Sequence, residues 1–194
     1  ALIGFMGAGK STLGPDVALK IGRTFLSVDE VVEQTAGRSV PELFAEGEAH
    51  FRGLEERAAA SLLTSSTPKV IELGGGAVGS ERTRQLLREH AITVWLDEPL
   101  DTCWQRAQNS DRPLARDRDE FARLYEQRGP LYKDAAEAKA HDAADVVLAA
   151  AGVHVETSAL KRLGDLVPGT GGAALVSDPH VAGIHGMDAQ LALG

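Results

Sequence analysis

The stretch Gly4-Phe5-Met6-Gly7-Ala8-Gly9-Lys10-Ser11 decides the fold of this 194-residue chain. It matches G-x-x-x-x-G-K-[ST], the pattern of a phosphate-binding loop. Its glycines let the backbone curl so that several N–H groups point at one anion. The lysine then adds a positive charge near the β- and γ-phosphates, and the serine hydroxyl ligates Mg²⁺. The predicted nucleotide-binding residues are Gly7, Ala8, Gly9, Lys10, Ser11 and Thr12.

The segments on either side of this loop supply the context that the motif requires. A short apolar run, Ala1-Leu2-Ile3, precedes it, and a helical stretch from Ser11 to Ile21 follows it. The N-terminus of that helix favours an anion at the same place. The alternative is a glycine-rich turn without function, but the order of strand, loop and helix argues against it.

Beyond the loop, short apolar runs alternate with helical stretches. The predicted strands are Leu2–Ile3, Thr24–Val28, Lys69–Leu73, Ile92–Leu96 and Ala144–Leu148. The predicted helices are Ser11–Ile21, Asp29–Thr35, a segment from Pro41 through Phe44, Gly47–Ser61, Ser80–His90, Leu100–Gln108, a segment from Asp119 to at least Gln127, and Thr157–Leu166. This alternation predicts a three-layer α/β/α fold with a five-stranded parallel sheet, and ligands at the carboxyl ends of its strands.

Composition narrows the class of protein. The chain is 43% hydrophobic and 25% charged, as expected of a globular domain, and its net charge of -8 argues against a broad nucleic-acid surface. The single cysteine, Cys103, cannot form an internal disulfide, which favours a reducing compartment. No apolar run approaches the roughly 18 residues of a membrane helix, and no signal peptide is visible. We therefore expect a cytoplasmic protein without nucleic-acid or membrane partners.

A second cluster, F-x-x-G-E-x-x-F-R-x-x-E, begins at Phe44. Because residues three and four apart share one face of a helix, Glu48, Arg52 and Glu55 should line one stripe. Arg52 could belong to a surface ion-pair ladder, which contributes little to stability. It could equally be held ready to grip an anionic substrate, since a guanidinium matches a carboxylate in bidentate fashion.

Three further features suggest contacts with a ligand. The triplet Gly74-Gly75-Gly76 follows a strand, where it is either a flexible turn or a place where a ligand approaches the backbone. Arg112 lies in a polar stretch that predicts a mobile loop over Asn109–Arg118, so it could either be a solvated charge or swing over transferring phosphate. Arg128 lies just before Pro130, which we expect to break the helix.

These motifs together resemble the shikimate kinase family, whose members are P-loop kinases with a nucleoside-monophosphate-kinase-like fold. The residues that carry the resemblance are Gly4–Thr12, Phe44–Glu55, Leu73–Val78, Arg112–Leu114 and Arg128–Tyr132, in the family's order. The resemblance covers residues 1–167 as one domain. It implies ATP-dependent phosphorylation of the 3-hydroxyl of shikimate in aromatic amino-acid biosynthesis, with ATP as co-substrate, Mg²⁺ as cofactor and a monomeric enzyme.

The resemblance also implies individual roles. Lys10, Asp29 and Arg112 would be catalytic, and Arg112 would contact ATP as well, with Arg106 stacking on its adenine. The residues that would bind shikimate are Asp29, Arg52, Gly74, Gly75, Gly76 and Arg128. Two alternatives stay open: a related kinase of the gluconate type, and a nucleotide-binding module with reduced catalysis because of Ser27.

Ser27 and Glu72 are among the residues that depart from the family's pattern. Ser27 stands where the family usually has the first carboxylate of D-x-D, and Glu72 stands where a small residue is usual. We therefore expect Ser11 and Glu72 to form the metal site, with Glu72 acting through a Mg²⁺-bound water. Its carboxylate should then lie within about two hydrogen-bond lengths of the Ser11 hydroxyl, with room for one water. The alternative is that Glu72 pairs with a nearby lysine or arginine.

Residues 168–194 differ in composition from the rest of the chain. The segment Pro168-Gly169-Thr170-Gly171-Gly172 has the composition of a linker. The residues after it weakly resemble the start of 3-dehydroquinate synthase. We therefore interpret 168–194 as a linker and tail, either disordered or the start of a second domain.

Overall fold

The structure, a computed structural model, describes residues 1–108 and 113–151. Its centre is a parallel five-stranded sheet in the order β2-β3-β1-β4-β5. The strands are β1 (Leu2–Ile3), β2 (Thr24–Ser27), β3 (Lys69–Glu72), β4 (Val94–Leu96) and β5 (Ala138–Ala140). The helices in the described ranges are α1 (Lys10–Lys20), α2 (Val28–Ala36), α3 (Val40–Glu46), α4 (Glu48–Leu63), α5 (Glu81–His90), α6 (Leu100–Ala107), α7 (Arg118–Ala135) and α8 (Ala143–Ala150). The predicted three-layer α/β/α fold with a five-stranded parallel sheet is confirmed.

The central position of β1 explains why the phosphate-binding loop lies in the middle of the molecule. From β1 the chain first builds β2 and β3 on one side and later builds β4 and β5 on the other. The loop after β1 therefore lies where the strand order reverses, which is where open α/β sheets bind ligands. Both residues of β1, Leu2 and Ile3, are 1% exposed because helices cover the two faces of a parallel sheet.

The fifth strand lies at Ala138–Ala140, so the prediction of a strand at Ala144–Leu148 was wrong. The short strand contains two alanines and a lysine, which have weak strand propensity. Its place is fixed instead by its pairing with β4, in which Val94 is aligned with Ala138 and Leu96 with Ala140. Sequence alone could not reveal this, because the partner strand is more than 40 residues away.

The segment predicted as that strand belongs to helix α8. The Asp142 side chain accepts hydrogen bonds from the backbone N–H groups of Ala144 and Asp145, and so caps the helix. Ala143, Val146 and Ala149 recur every three residues and are buried. The helical spacing of the buried residues and the Asp142 cap thus outweigh the strand propensity of Val146 and Val147.

Helix α7 continues through Pro130, so the expectation that this proline breaks the helix was also wrong. A proline in a helix loses one backbone hydrogen bond, and Pro130 is exposed, so water can satisfy the carbonyl left behind. As a result, Arg128 and Tyr132 lie one turn apart on a continuous helix.

Several predictions fall outside the described residues. These are the place of Arg112, residues 109–112 of the predicted mobile loop, the helix Thr157–Leu166, and the linker and tail at 168–194. Pro113–Ala115 form a 3-10 turn just before α7. None of the described helices is both long enough and apolar enough to span a bilayer.

Candidate functional site

The phosphate-binding loop is held in a conformation that needs its glycines. Gly7 and Gly9 have φ angles of 81° and 91°, in the left-handed region that favours glycine. A Cβ atom on Gly7 would overlap the backbone carbonyl of Cys103 in α6. The loop therefore packs backbone to backbone against α6, and this contact fixes its position.

Lys10 bends back over the loop that precedes it. Its side chain is buried, and Nζ donates hydrogen bonds to the carbonyl oxygens of Gly4 at 2.8 Å and Phe5 at 3.1 Å. The positive charge is thus fixed inside the curl of the loop, in the position that the motif requires for an anion.

A cleft of about 280 Å³ opens beside the loop, and we call it the nucleotide cleft. The residues that line it are Gly7, Gly9, Lys10, Ser11, Thr12, Glu72, Arg106 and Ala107. Arg106 Nη1 donates to the carbonyl oxygen of Gly7 at 3.2 Å and lies 3.4 Å from the Glu98 carboxylate. Most predicted nucleotide-binding residues therefore meet in one place, with Arg106 at its rim.

Glu72 points into the nucleotide cleft. Its Oε1 accepts a hydrogen bond from Ser11 Oγ at 2.6 Å. The side chain has the expected direction and its carboxylate lies within the expected distance, but the direct hydrogen bond leaves no room for the expected water between these two atoms. Ser27 is aligned with Glu72 in the register of β2 and β3, and both residues are 7% exposed.

A second cavity, which we call the acid cleft, gathers the predicted substrate-binding residues. It is lined by Asp29, Arg52, Gly74, Gly75, Gly76 and Arg128, and also by Met6, Val40, Phe44, Phe51, Glu55 and Leu114. Four separate regions of the chain supply the polar members: α2, α4, the turn after β3, and α7. Its volume is about 60 Å³, so it is much narrower than the nucleotide cleft.

Arg52 is fixed from several sides. Its Nη1 donates to Glu55 Oε2 at 2.7 Å, and its Nη2 donates to Glu48 Oε1 at 3.0 Å. The guanidinium carbon lies 5.4 Å from the centre of the Phe44 ring and 5.2 Å from that of Phe51. Burial works to lower the pKa of Arg52, but the two carboxylates outweigh burial and raise it. The predicted stripe therefore exists, and it faces the acid cleft.

Arg128 differs from Arg52 in its charge balance. Its Nη1 donates to the carbonyl oxygen of Gly75 at 3.2 Å, and Tyr132 Oη donates to the same oxygen at 2.5 Å. Within the described residues Arg128 makes no ion pair closer than 4.0 Å. Burial lowers the pKa of its guanidinium, so a negative ligand beside it would be favoured.

Glu55 is a site residue that our sequence analysis left without a role. It is 2% exposed, and burial raises the pKa of its carboxyl group, although Arg52 opposes this rise. Its Oε1 has no hydrogen-bond partner among the described residues, and it faces Gly74. The signal for it was present, because Glu55 stands three residues after Arg52.

The glycine triplet leaves room for charged side chains. A Cβ atom on Gly74 would collide with Glu55 Oε1 and come within 2.9 Å of Asp29 Oδ1. A Cβ atom on Gly76 would collide with the Arg52 guanidinium. These two glycines are therefore required by the side chains packed on them, which is a stronger reason than the flexible turn considered above.

The two clefts adjoin at the phosphate-binding loop. Met6 lines the acid cleft and the next residue, Gly7, lines the nucleotide cleft. A Cβ atom on Gly75 would lie 3.3 Å from Met6 N, so the loop and the glycine triplet are in contact. A group bound in the acid cleft would consequently lie next to a phosphate bound by the loop.

Comparisons with known proteins point to one family. The family model described as shikimate kinase matches residues 6–161. Shikimate kinases from Rhodopseudomonas palustris and Ruegeria pomeroyi are similar, with 45% and 42% identity over 139 residues. That alignment covers 69% of this chain in both cases, and 68% and 71% of the two relatives.

Two solved structures are similar as well. The shikimate kinase from Acinetobacter baumannii in complex with shikimate has a TM-score of 0.70 and 33% identity, covering 75% of this chain and 86% of its own. The shikimate kinase from Aquifex aeolicus has a TM-score of 0.69 and 33% identity, covering 78% and 95%.

Proposed function

The chain belongs to the shikimate kinase family and phosphorylates the 3-hydroxyl of shikimate with ATP, and we propose how its residues divide this work. The observation that carries the proposal is the contact between the two clefts. One cleft contains a phosphate-binding loop, and the other contains two arginines beside carboxylates. The charged groups of the second cleft match a small hydroxy acid with a carboxylate at one end and hydroxyls at the other.

Arg52 and Arg128 bind the shikimate carboxylate. Arg52 is already oriented by two glutamates, whereas Arg128 has a buried charge for which a ligand carboxylate would compensate. Charge-assisted pairs of this kind are the stronger class of hydrogen bonds. The backbone of Gly74, Gly75 and Gly76 forms the floor on which the substrate ring rests.

Asp29 binds the substrate hydroxyls and orients or deprotonates the one that attacks the γ-phosphoryl group. It lies in the first turn of α2, with its Oδ1 near Gly74. Lys10 stabilises the negative charge that develops on the phosphoryl oxygens. Arg112, which lies outside the described residues, is assigned the same role.

Ser11 and Glu72 are the residues that we assign to Mg²⁺. Both offer hard oxygen donors, and they lie in contact within the nucleotide cleft, which suits this cation. Within residues 1–108 and 113–151, no group of three His, Cys, Asp or Glu side chains is placed to hold a metal by itself. Mg²⁺ held beside Ser11 and Glu72 would supply positive charge that offsets the charge of the nucleotide phosphates.

We also propose that the enzyme acts in the cytoplasm as a monomer, without nucleic-acid or membrane partners. Burial raises the pKa of the single cysteine, Cys103, to about 11, so its thiol is unreactive near neutral pH.

A coupled assay of ADP release across shikimate, gluconate and quinate tests the function. Of the three acids, we expect turnover only with shikimate, accompanied by formation of shikimate 3-phosphate. Turnover of gluconate in its place would indicate the related kinase, and nucleotide binding without turnover of any acid would indicate a binding module.

For Arg112, we expect Arg112→Ala to lower kcat more than it weakens the binding of either substrate.

A further inference from the structure

A third cavity, of about 520 Å³, adjoins the acid cleft, and we call it the rear cavity. It shares Arg52, Glu55, Gly76 and Arg128 with the acid cleft, and its other walls come from α4, α7 and the segment that leads from the glycine triplet into α5. We propose that the rear cavity binds a small carboxylic acid with an apolar body, and that this ligand weakens shikimate binding by compensating the charge of Arg128. The proposal rests on the proposed function in that Arg128 must bind the shikimate carboxylate.

Gly53 keeps the rear cavity open. It lies in the interior of α4, where glycine is one of the poorest helix formers. Packing does not require it, because a Cβ atom at this position would meet, among the described residues, only the end of the Arg57 side chain at 3.9 Å. A larger residue would therefore strengthen the helix and fill the space. The glycine thus gives up helix stability and leaves room for a ligand beside Arg52.

Arg128 provides a positive charge that faces both cavities. Its Nη1 donates to the carbonyl oxygen of Gly75, but a guanidinium carries five N–H donors in a planar fork. Arg52 also lines both cavities, yet Glu48 and Glu55 already compensate its charge. A carboxylate that enters the rear cavity is therefore attracted mainly to Arg128, which makes no ion pair within the described residues.

Thr83 carries a buried hydroxyl that lines the rear cavity. The residue is 1% exposed, and its Oγ1 has no hydrogen-bond partner among the described residues. The nearby hydroxyl of Ser80 is already engaged, since it donates to Glu56 Oε2 at 2.6 Å. Buried polar groups almost always have a partner, so a ligand oxygen in the cavity would complete the hydrogen bonding of Thr83. A carboxylate offers two acceptor oxygens, so it can bind Thr83 and Arg128 together.

The remaining walls indicate the rest of the ligand. Ala77, Leu124 and Leu131 supply apolar surface. Glu48 and Glu56 also line the cavity and would repel a ligand with several negative charges, which argues against a phosphate. A volume of about 520 Å³ with apolar walls and few available polar groups is typical of sites for small organic molecules. A single carboxylate on an apolar body therefore matches this cavity.

Sharing of Arg128 couples the two cavities. A carboxylate in the rear cavity would compensate the charge that otherwise attracts the shikimate carboxylate, so each ligand should weaken the binding of the other. Because the two ligands occupy different cavities, both can be bound at once and the effect has a limit. A ligand that occupied the acid cleft itself would exclude shikimate, and its effect would have no limit. This difference separates the rear cavity from the acid cleft in solution.

Calorimetric titrations with benzoate test the proposal, and benzamide is the uncharged control. Benzoate should bind the free enzyme more tightly than benzamide does, because only benzoate carries the charge that Arg128 attracts. As benzoate is increased, the Kd for shikimate should rise about fivefold or more and then level off, and saturating shikimate should raise the Kd for benzoate by the same factor. Failure of benzoate to bind, equal binding of benzamide, or a Kd for shikimate that rises without levelling off would overturn the proposal.

Filling the cavity provides a second test. Gly53→Leu should abolish benzoate binding, whereas kcat and the KM for shikimate without benzoate should stay unchanged, because position 53 does not line the acid cleft. Gly53→Ala is the matched control, since it brings a similar gain in helix propensity but leaves most of the space. Undiminished benzoate binding in Gly53→Leu would overturn the proposal.

Thr83→Val keeps the proposal testable if Gly53→Leu does not fold. It replaces the hydroxyl by a methyl group of similar size, so the Kd for benzoate should rise about fivefold, as expected from the loss of one hydrogen bond. Thr93→Val is the matched control, because Thr93 Oγ1 is also buried without a partner among the described residues but lines none of the three cavities. Equal Kd values for these two variants would overturn the proposal. An enzyme that turns over shikimate normally yet fails these tests retains the proposed function and lacks only the ligand of the rear cavity.

Discussion

The nucleotide cleft and the acid cleft are built in opposite ways. The nucleotide cleft is made mostly by one continuous loop and the helix that follows it, so neighbouring residues in sequence are neighbours in space. The acid cleft is assembled from side chains on α2, α4, α7 and the turn after β3, and its charged groups hold one another in place. Backbone geometry therefore defines the first cleft, whereas mutual packing of side chains defines the second. Substitutions in the two clefts should therefore affect different kinetic parameters.

The largest expected effect is in the nucleotide cleft, at Lys10. Lys10→Met removes the positive charge fixed within the curl of the loop, so kcat should fall by about 100-fold or more. Steady-state kinetics measure the loss, and binding of shikimate alone, followed by calorimetry, should be nearly unchanged. A Lys10→Met enzyme with wild-type kcat would remove this residue from the mechanism.

The next effect is in the acid cleft, at Arg52. Arg52→Ala removes a charge-assisted pair worth about 1.5–3 kcal/mol, so the KM for shikimate should rise about tenfold or more. The KM for ATP should barely change, because Arg52 lies outside the nucleotide cleft. Equal losses for the two substrates would mean that Arg52 is structural and that the acid cleft is assigned wrongly.

A subtler change tests whether side-chain packing does define the acid cleft. Gly76→Ala places a methyl group against the Arg52 guanidinium and should displace it, raising the KM for shikimate several-fold. Gly79→Ala is the matched control, since a Cβ atom there meets nothing within 4 Å. Similar kinetics for these two variants would show that the glycine triplet tolerates side chains and that Arg52 is not held by it.

The smallest expected effect is a pH dependence carried by Glu55. Burial raises the pKa of this carboxyl group, so it takes up a proton at a higher pH than an exposed glutamate does. As pH falls through that raised pKa, Glu55 loses the charge that orients Arg52, and the KM for shikimate should rise.

Protonation of Glu55 at low pH should weaken shikimate binding but increase the free energy of unfolding. The folded state of a group with a raised pKa binds the proton more tightly than the unfolded chain does, so burial of the charged form costs stability at neutral pH. That cost is relieved as pH falls through the raised pKa.

Glu55→Gln should flatten the dependence of the KM for shikimate on pH, and an unchanged pH profile would exclude Glu55 as its source.

The contrast between the clefts also explains what sequence could predict. The phosphate-binding loop and the residues of its cleft were predictable because the motif is contiguous and its geometry is local. The spacing placed Glu55 on one stripe with Arg52, but its approach to Gly74 and Asp29 arises only in the folded chain. The expected water between Glu72 and Ser11 is replaced by a direct hydrogen bond for a similar reason, since that distance depends on how closely α1 approaches β3 in the folded chain.

The errors in secondary structure follow the same logic. The strand Ala138–Ala140 is set by pairing with β4 and has almost no local signal. The proline in α7 was interpreted by its local propensity, but Phe121, Tyr132 and Ala135 on the same helix are buried, and packing on both sides of the proline outweighs the loss of one hydrogen bond. Tertiary contacts decide both cases.

The continuity of α7 has a mechanical consequence. This helix is 18 residues long, or about 27 Å, and it begins at Arg118, three residues after the 3-10 turn that includes Leu114. Farther along, it presents Arg128 and Tyr132 to the carbonyl oxygen of Gly75. If the helix were broken at Pro130, the segment before the proline could tilt while the segment that carries Tyr132 stayed in place. A continuous helix moves as one rigid body, so a tilt that begins near Arg118 must also displace the hydrogen bond from Tyr132 to the glycine triplet.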